Sequence, residues 1–142
     1  MMISTKGRYA VRIMVDLAEH SEGNNVPLKE MAERQEISLK YLEQIMAVLV
    51  KGKLVEGAHG KGGGYQLTRE PSEYKIGEIL RLTEGDLNLV PCLDVDQASC
   101  PRVAQCRTYD LWQGLSKVIN QYLDSITLAD LMNKEYVNEY VI

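Results

Sequence analysis

Three cysteines, Cys92, Cys100 and Cys106, lie in one short stretch, LVPCLDVDQASCPRVAQCR, and are the only cysteines in the chain. An odd number cannot close into disulfides within one chain. In a reducing compartment such a group points to metal or redox chemistry. Thiolates are the ligands of iron–sulfur clusters and of zinc. Without a metal, a thiol that ionises easily is a redox switch. A cluster usually takes four ligands. Asp94, Asp96, Ser99 and Asp110 are oxygen donors close in sequence, and Tyr109 is an unusual one. A small exogenous thiol or a residue of a partner chain would also complete the shell. Neither histidine is near: His20 and His59 stand far upstream. From these residues three readings stay open: an iron–sulfur cluster, zinc, or metal-free thiols.

Other chemistries find no support. No Ser/His/Asp arrangement or pair of carboxylates suggests a catalytic centre, so no enzyme is expected. The segment Gly57-Ala58-His59-Gly60-Lys61-Gly62-Gly63-Gly64 is dense in glycine. It lacks the Gly-Lys-Ser/Thr that opens a helix in a phosphate-binding loop. The runs Leu54-Val55-Glu56 and Tyr65-Gln66-Leu67 flank it and alternate as strands, so the glycines mark a hairpin tip.

The elements that carry these groups follow from periodicity. Residues 26–51 read as two helices around a tight turn. The first buries Leu28, Met31 and Ala32. Gln35-Glu36-Ile37 is the turn, with Ile37 pointing inward. Ser38 caps the second helix, which buries Leu39, Leu42, Ile45, Met46 and Leu49 at spacings of three and four. Its outer face carries Ser38, Lys40, Tyr41, Glu43, Gln44 and Lys51. Gly52 is expected as a left-handed cap. A short helix, a turn, a capped amphipathic helix and a hairpin are the parts of a winged helix-turn-helix, whose second helix enters the major groove of double-stranded DNA. Lys6, Arg8, Lys40, Lys51 and Lys61 are the expected phosphate contacts, with His59 beside Lys61 on the wing. Tyr41, Glu43 and Gln44 lie where base edges would be. Gln44 suits adenine and Glu43 suits the cytosine amine. A surface pairing of Glu43 with Lys40 or Lys51 is the plainer alternative for that acid.

A helix over residues 6–20 precedes this pair, with Tyr9, Ala10, Ile13, Met14, Leu17 and Ala18 on one face. Lys6 and Arg8 at its start oppose the helix dipole, which a phosphate partner would explain. Arg12 reads as a solvated side chain. After the wing, Pro71-Ser72-Glu73 breaks the chain. A helix over residues 76–84 buries Ile76, Ile79, Leu80 and Leu82 and ends at Gly85-Asp86. Residues 87–107 read as loop. The strongest helical pattern spans residues 108–126, capped by Thr108 or Asp110. One row is Leu111, Leu115, Val118 and Tyr122; another is Trp112, Ile119, Leu123 and Ile126. So broad an apolar surface suits packing on a partner helix, in a homodimer that offers two recognition helices; a core helix within one chain is the alternative. Thr127 starts a further short helix, and the tail NKEYVNEYVI ends the chain.

The expected fold is thus mainly α with a small β wing. Residues 1–84 form the DNA-binding domain, 85–107 a cysteine-containing sensor loop, and 108–142 the dimerisation helix and tail. At 142 residues and 45% hydrophobic content, one real core is affordable. Net charge is −4, but residues 1–70 hold 10 of the 16 Lys and Arg, whereas residues 71–142 hold 11 of the 20 Asp and Glu. The basic groups gather in the half assigned to DNA. No apolar run of membrane length and no signal peptide is found, so a cytoplasmic protein without a membrane partner is expected.

These residues resemble the Rrf2 family of bacterial transcriptional regulators. The resemblance is carried by Ser4-Thr5-Lys6-Gly7-Arg8-Tyr9-Ala10, by Ser38-Leu39-Lys40-Tyr41-Leu42-Glu43-Gln44-Ile45 and by Gly60-Lys61-Gly62-Gly63-Gly64-Tyr65. Leu111-Trp112 and Ile126-Thr127-Leu128-Ala129-Asp130-Leu131 extend it over nearly the whole chain. It implies a homodimer on a palindromic operator. The iron–sulfur-sensing, IscR-type branch is the most similar, which implies Cys92, Cys100 and Cys106 as ligands of a [2Fe-2S] cluster. The chain departs from that branch in two places. The step from Cys92 to Cys100 is longer, and Tyr109 stands where a ligating histidine is usual. Arg8 occupies the place from which another branch supplies a carboxylate, so the fourth ligand stays open. The family also contains metal-free members controlled by thiol redox state or by a protein partner, the cysteine-metabolism type.

Overall fold

The computed structural model describes residues 3–21, 23–60, 62–93 and 100–132. Helix α1 is Thr5–His20, α2 is Leu28–Gln35 and α3 is Leu39–Lys51. Strands β1, Val55–Ala58, and β2, Gly64–Leu67, form the antiparallel hairpin. Helix α4 is Ile76–Glu84, α5 is Tyr109–Ser125 and α6 is Leu128–Leu131.

The core is built where the apolar stripes of these helices meet. Ile13, Met14 and Leu17 from α1, Met31 from α2, Leu42, Ile45, Met46 and Leu49 from α3 and Ile79 from α4 are fully enclosed. Each such side chain contributes about 1.5–3 kcal/mol of burial energy, so the helix-turn-helix is held mostly by packing. Two turns share one device. Glu36, at φ 54°, follows α2, and the next residue, Ile37, is buried with its N–H on the carbonyl of Ala32 at 3.1 Å. Lys53, at φ 60°, does the same after α3, and Leu54 behind it donates to the Leu49 carbonyl at 3.0 Å. In each, a left-handed residue turns the chain and the following apolar side chain plugs the core. The left-handed position after α3 is therefore Lys53, not Gly52, whose φ is −79°.

The wing is anchored from behind by Tyr74. Its hydroxyl donates to the Leu54 carbonyl at 2.7 Å and accepts the N–H groups of Thr68 and Arg69 at 2.9 and 3.0 Å. The turn Val26 adds a third backbone segment, pairing with Tyr65 in both directions at 2.8 and 2.9 Å. Gly64 makes that approach possible. It has φ 148°, and a Cβ there would lie 2.4 Å from the Val26 carbonyl oxygen.

Helix α5 packs one flank on this body. Leu123 and Ile126 join the core, while Leu111, Leu115, Val118 and Tyr122 stay 41–63% exposed. Neither Thr108 nor Asp110 caps it. Thr108 stands at the cap position, but in helical backbone (φ −105°, ψ −4°) and without a side-chain capping bond. An extended cap residue is needed to turn the hydroxyl back onto the free N–H groups. At the far end Thr127 and Asp130 form a reciprocal capping box for α6. The tail, residues 133–142, lies outside the described residues.

Candidate nucleic-acid interface and cysteine loop

Ser38 caps α3 by accepting the Tyr41 N–H at 3.2 Å, and its extended backbone brings the chain sharply into the helix. Ser38, Lys40, Glu43, Gln44 and Lys51 are all exposed along the outer side of α3. No ion pair joins Glu43 to Lys40 or Lys51 among the described residues. Tyr41 is half-buried instead of facing outward. Its ring meets that of Tyr9 edge-on at 5.9 Å. At 100° per residue Tyr41 lies on the flank of α3 turned to α1, so it is shared between base-facing and packing surfaces.

Leu39 departs from expectation in the other direction: it is 47% exposed. It sits roughly 70° from the centre of the stripe set by Leu42, Ile45, Met46 and Leu49, at the edge of what packing can cover. Arg8 is exposed and donates to the Thr5 hydroxyl at 3.2 Å, while Lys6 is half-buried. The Tyr9–Tyr41 contact brings the start of α1 beside the start of α3. Arg12 is not a free solvated side chain. It donates to the side chain and backbone carbonyls of Gln35 at 3.1 and 2.8 Å and covers the Tyr9 ring at 4.9 Å. His59 is exposed at the wing tip. Lys61 lies outside the described residues.

The cysteine loop joins α4 to α5. Its first part is held to α5 by Asn88, which donates to the Leu93 carbonyl at 3.0 Å and accepts from Ser116 at 3.5 Å. Cys92 lies in a single helical turn, Pro91–Leu93, and is half-buried; Cys100 and Cys106 are exposed. All three thiols are free. The Thr108 hydroxyl, 3.4 Å from the Cys106 sulfur, holds that thiol below its ordinary 9.0, helped by the Thr108 and Tyr109 backbone and by Arg102. Among the described residues no three Cys, His, Asp or Glu side chains are gathered as a metal site. Asp94, Asp96 and Ser99 lie outside them. Asp110 is exposed, and the Tyr109 hydroxyl accepts from Gln113 at 3.1 Å.

Residues 3–134 match the model of the Rrf2 family, described as an iron-dependent transcriptional regulator. The chain belongs to the Rrf2 family. This Rrf2 protein is 40% identical over 139 residues to the HTH-type transcriptional regulator IscR of Vibrio atlanticus, covering 98% of the chain and 79% of that relative. Among solved structures it is similar to IscR of T. potens, at 43% identity and TM-score 0.70, over 92% of this chain and 85% of the other. It is also similar to CymR, the global cysteine regulator of B. subtilis, at 35% identity and TM-score 0.76, over 92% and 95% of the two chains. The fold is therefore that of the winged helix-turn-helix Rrf2 regulators, and the protein is a DNA-binding transcriptional regulator, not an enzyme. Among the described residues no helix is long and apolar enough to cross a membrane.

Periodicity alone missed the polar clamp that sets the angle of the Rrf2 reader. Asp16 is 2% exposed within the apolar side of α1. It accepts two bonds from Arg34, at 3.0 and 2.8 Å, and one from Gln35 at 2.8 Å, both at the end of α2. An acid on a core stripe is a legible signal, because its burial demands donors; the identity of those donors is not. A second clamp ties α4 to α5. Arg81 donates to both Asp124 oxygens at 2.9 Å and to the Asn120 carbonyl at 3.2 and 2.8 Å. Close by, the Ile76 N–H meets the Ile126 carbonyl at 2.9 Å, and the Leu128 N–H meets that of Tyr74 at 2.9 Å. The helix that carries the apolar row is thus fixed directly to the winged body.

Proposed function

We propose that this Rrf2 protein is a homodimeric regulator of a palindromic operator whose affinity is set through Cys92, Cys100 and Cys106. On this reading residues 1–84 are the DNA reader, 85–107 the sensor loop and 108–142 the dimerisation helix and tail. Ser38, Lys40, Tyr41, Glu43, Gln44 and Lys51 act from the recognition helix. Lys6 and Arg8 act from the first helix and His59 and Lys61 from the wing. The observation that carries the reading is the outer face of α3: polar, unpaired across Glu43, and presented from a capped helix end. Exposure of Leu111, Leu115, Val118 and Tyr122 along one side of α5 supports a second copy there. Two recognition helices then meet two half-sites, as helix-turn-helix dimers do.

The donor set suits an iron–sulfur cluster. Three soft thiols lie on one loop, one of them with its acidity raised by a neighbouring hydroxyl. Cys92, Cys100 and Cys106 would be its protein ligands, and a [2Fe-2S] cluster is the form that the resemblance in the cysteine loop implies. When bound, such a group supplies a redox-sensitive and labile cross-link between the two parts of the loop. The chain's own residues carry the consequence. Asn88 and Ser116 connect the loop to α5, and Arg81 connects α5 to the reader. A coupling of about 1–3 kcal/mol along this route changes operator affinity about 5- to 150-fold.

A second reading is favoured by the exposure and raised acidity of Cys106: a metal-free thiol switch, or control by a protein partner, as suggested by the similarity to the cysteine regulator CymR. Anaerobic purification followed by reconstitution with iron and sulfide separates the two. Visible absorbance lost in Cys→Ala variants, with unequal operator binding by loaded and apo protein, supports the cluster. Zinc retained without colour supports the zinc alternative. Operator binding that follows thiol oxidation alone supports the switch. A monomer by analytical ultracentrifugation, or equal binding to random and promoter DNA across a salt series, refutes the reading as a homodimer on a palindromic operator.

A further inference from the structure

Among the described residues six large apolar side chains are exposed: Leu39 and Val50 on α3, and Leu111, Leu115, Val118 and Tyr122 on α5. A second copy accounts for the four on α5, and Val50 lies in the last turn of α3, away from the end that meets base edges. Leu39 does not belong with them. It is the first residue of α3, directly after the Ser38 cap, and is 47% exposed. It stands at the edge of the stripe on which Leu42, Ile45, Met46 and Leu49 build the core and takes no part in that core. Its neighbour one turn along is Glu43, also exposed, on the flank of α3 turned away from Tyr41. Nearly half of this residue is left in solvent. In helix-turn-helix proteins the N-terminal residues of the second helix meet the base edges. The one apolar feature on the major-groove edge of the bases is the thymine 5-methyl group.

We infer that Leu39 is a specificity-determining residue that packs on a thymine 5-methyl group in each half-site, next to the base pair faced by Glu43. The inference rests on the DNA-binding reading above. One helical turn rises 5.4 Å and successive base pairs 3.4 Å, so the thymine lies about one to two pairs from the pair that Glu43 faces. The two residues then act in opposite ways on adjacent pairs. Glu43 accepts a hydrogen bond, and Leu39 requires a methyl group that water solvates poorly. A cytosine or purine in the thymine position leaves the leucine against a polar edge.

The experiment begins by selecting the operator from a random duplex library with the full chain. Each thymine of the selected half-site is then replaced by uracil, which keeps every hydrogen-bonding group and removes only the methyl. For the wild-type protein, one thymine position should weaken binding about fourfold per half-site, the worth of burying one carbon. Leu39→Ala should bind the thymine operator about fourfold more weakly per half-site, and its affinity should not change on uracil substitution at that position. Leu39→Gln should behave as Leu39→Ala toward uracil. Unchanged thermal melting of both variants shows that the loss is one of contact. A uracil penalty that persists in Leu39→Ala, or no thymine position that responds in the wild type, overturns the inference while leaving DNA reading intact. Failure to select any operator overturns both.

Discussion

Asp16 lies almost wholly out of water on α1 and is gripped from the end of α2 by Arg34, whose Nη2 and Nε donate to its two carboxylate oxygens at 2.8 and 3.0 Å. Gln35 adds a third bond to the same carboxylate at 2.8 Å and receives Arg12 on its own carbonyl oxygens. Removing one member of a buried pair leaves the other uncompensated, which typically costs 3–5 kcal/mol. Arg34 keeps 31% of its side chain in solvent, which softens the loss. Asp16→Ala should therefore destabilise the protein by about 2–4 kcal/mol in urea titration. Because α2 sets the approach of α3, the folded variant should also bind operator more weakly. A change below about 0.5 kcal/mol would mean that the clamp is idle.

The wing offers a sharper steric test. At Gly64 a Cβ meets the Val26 backbone at 2.4 Å, and φ is 148°. Gly64→Ala must push apart the two hydrogen bonds between Val26 and Tyr65. The expected loss is about 1–3 kcal/mol, seen as a lower urea midpoint. Gly62→Ala is a useful control: its φ is 81°, but a Cβ there meets nothing within 4 Å. It should cost less than Gly64→Ala, by the absence of the clash; the reverse order would contradict the account of the wing.

Lys40 and Glu43 should fail in different ways on DNA. On the proposed DNA reading Lys40→Ala takes away a phosphate contact, so binding should weaken alike for all sequences, and the slope of log affinity on log salt should fall by about 0.9 per subunit. Glu43→Ala should leave that slope nearly intact and relax preference at one base pair per half-site by about 1–3 kcal/mol. Fluorescence anisotropy on matched operator variants at several salt concentrations reads both. A uniform loss from Glu43→Ala across all sequences would count against its role in reading bases.

Acid should weaken the ties behind the reader. Glu78 accepts two bonds from Arg69, at 2.9 and 2.8 Å, which hold its carboxyl below the ordinary 4.5. Asp124 is held below 3.8 by its bonds from Arg81. Since both folded values are depressed, the unfolded chain binds more protons in this range. Their contribution is fully present above the unfolded values and is lost as pH falls through the folded ones. Melting temperature should thus drop as pH is lowered from about 5, with these two carboxylates responsible for part of the slope. The double variant Glu78→Gln, Asp124→Asn should melt lower at pH 7 and show a shallower acid slope than the wild type. An identical slope would show that neither pair is felt.

Much of this was legible from residue order. Local rules acted alone where the outcome needed no distant partner. The Ser38 and Thr127 caps, the bounds of α4, the hairpin around its glycines and the buried rows of α3 follow from the spacing of side chains along one element. The odd set of thiols and the exposed side of α3 could likewise be named in advance, since composition and period determine them. Which of two marginal residues is covered was another matter. Leu39 and Tyr41 sit at opposite edges of the α3 stripe, and only the arrival of Tyr9 from α1 on one side buries Tyr41 and leaves Leu39 in solvent. Asp16 found Arg34 and Gln35, and Arg81 found Asp124, across 18 to 43 positions of chain. Such pairings depend on how whole helices cross. That crossing minimises exposed surface over the entire core at once, so no window of sequence contains it.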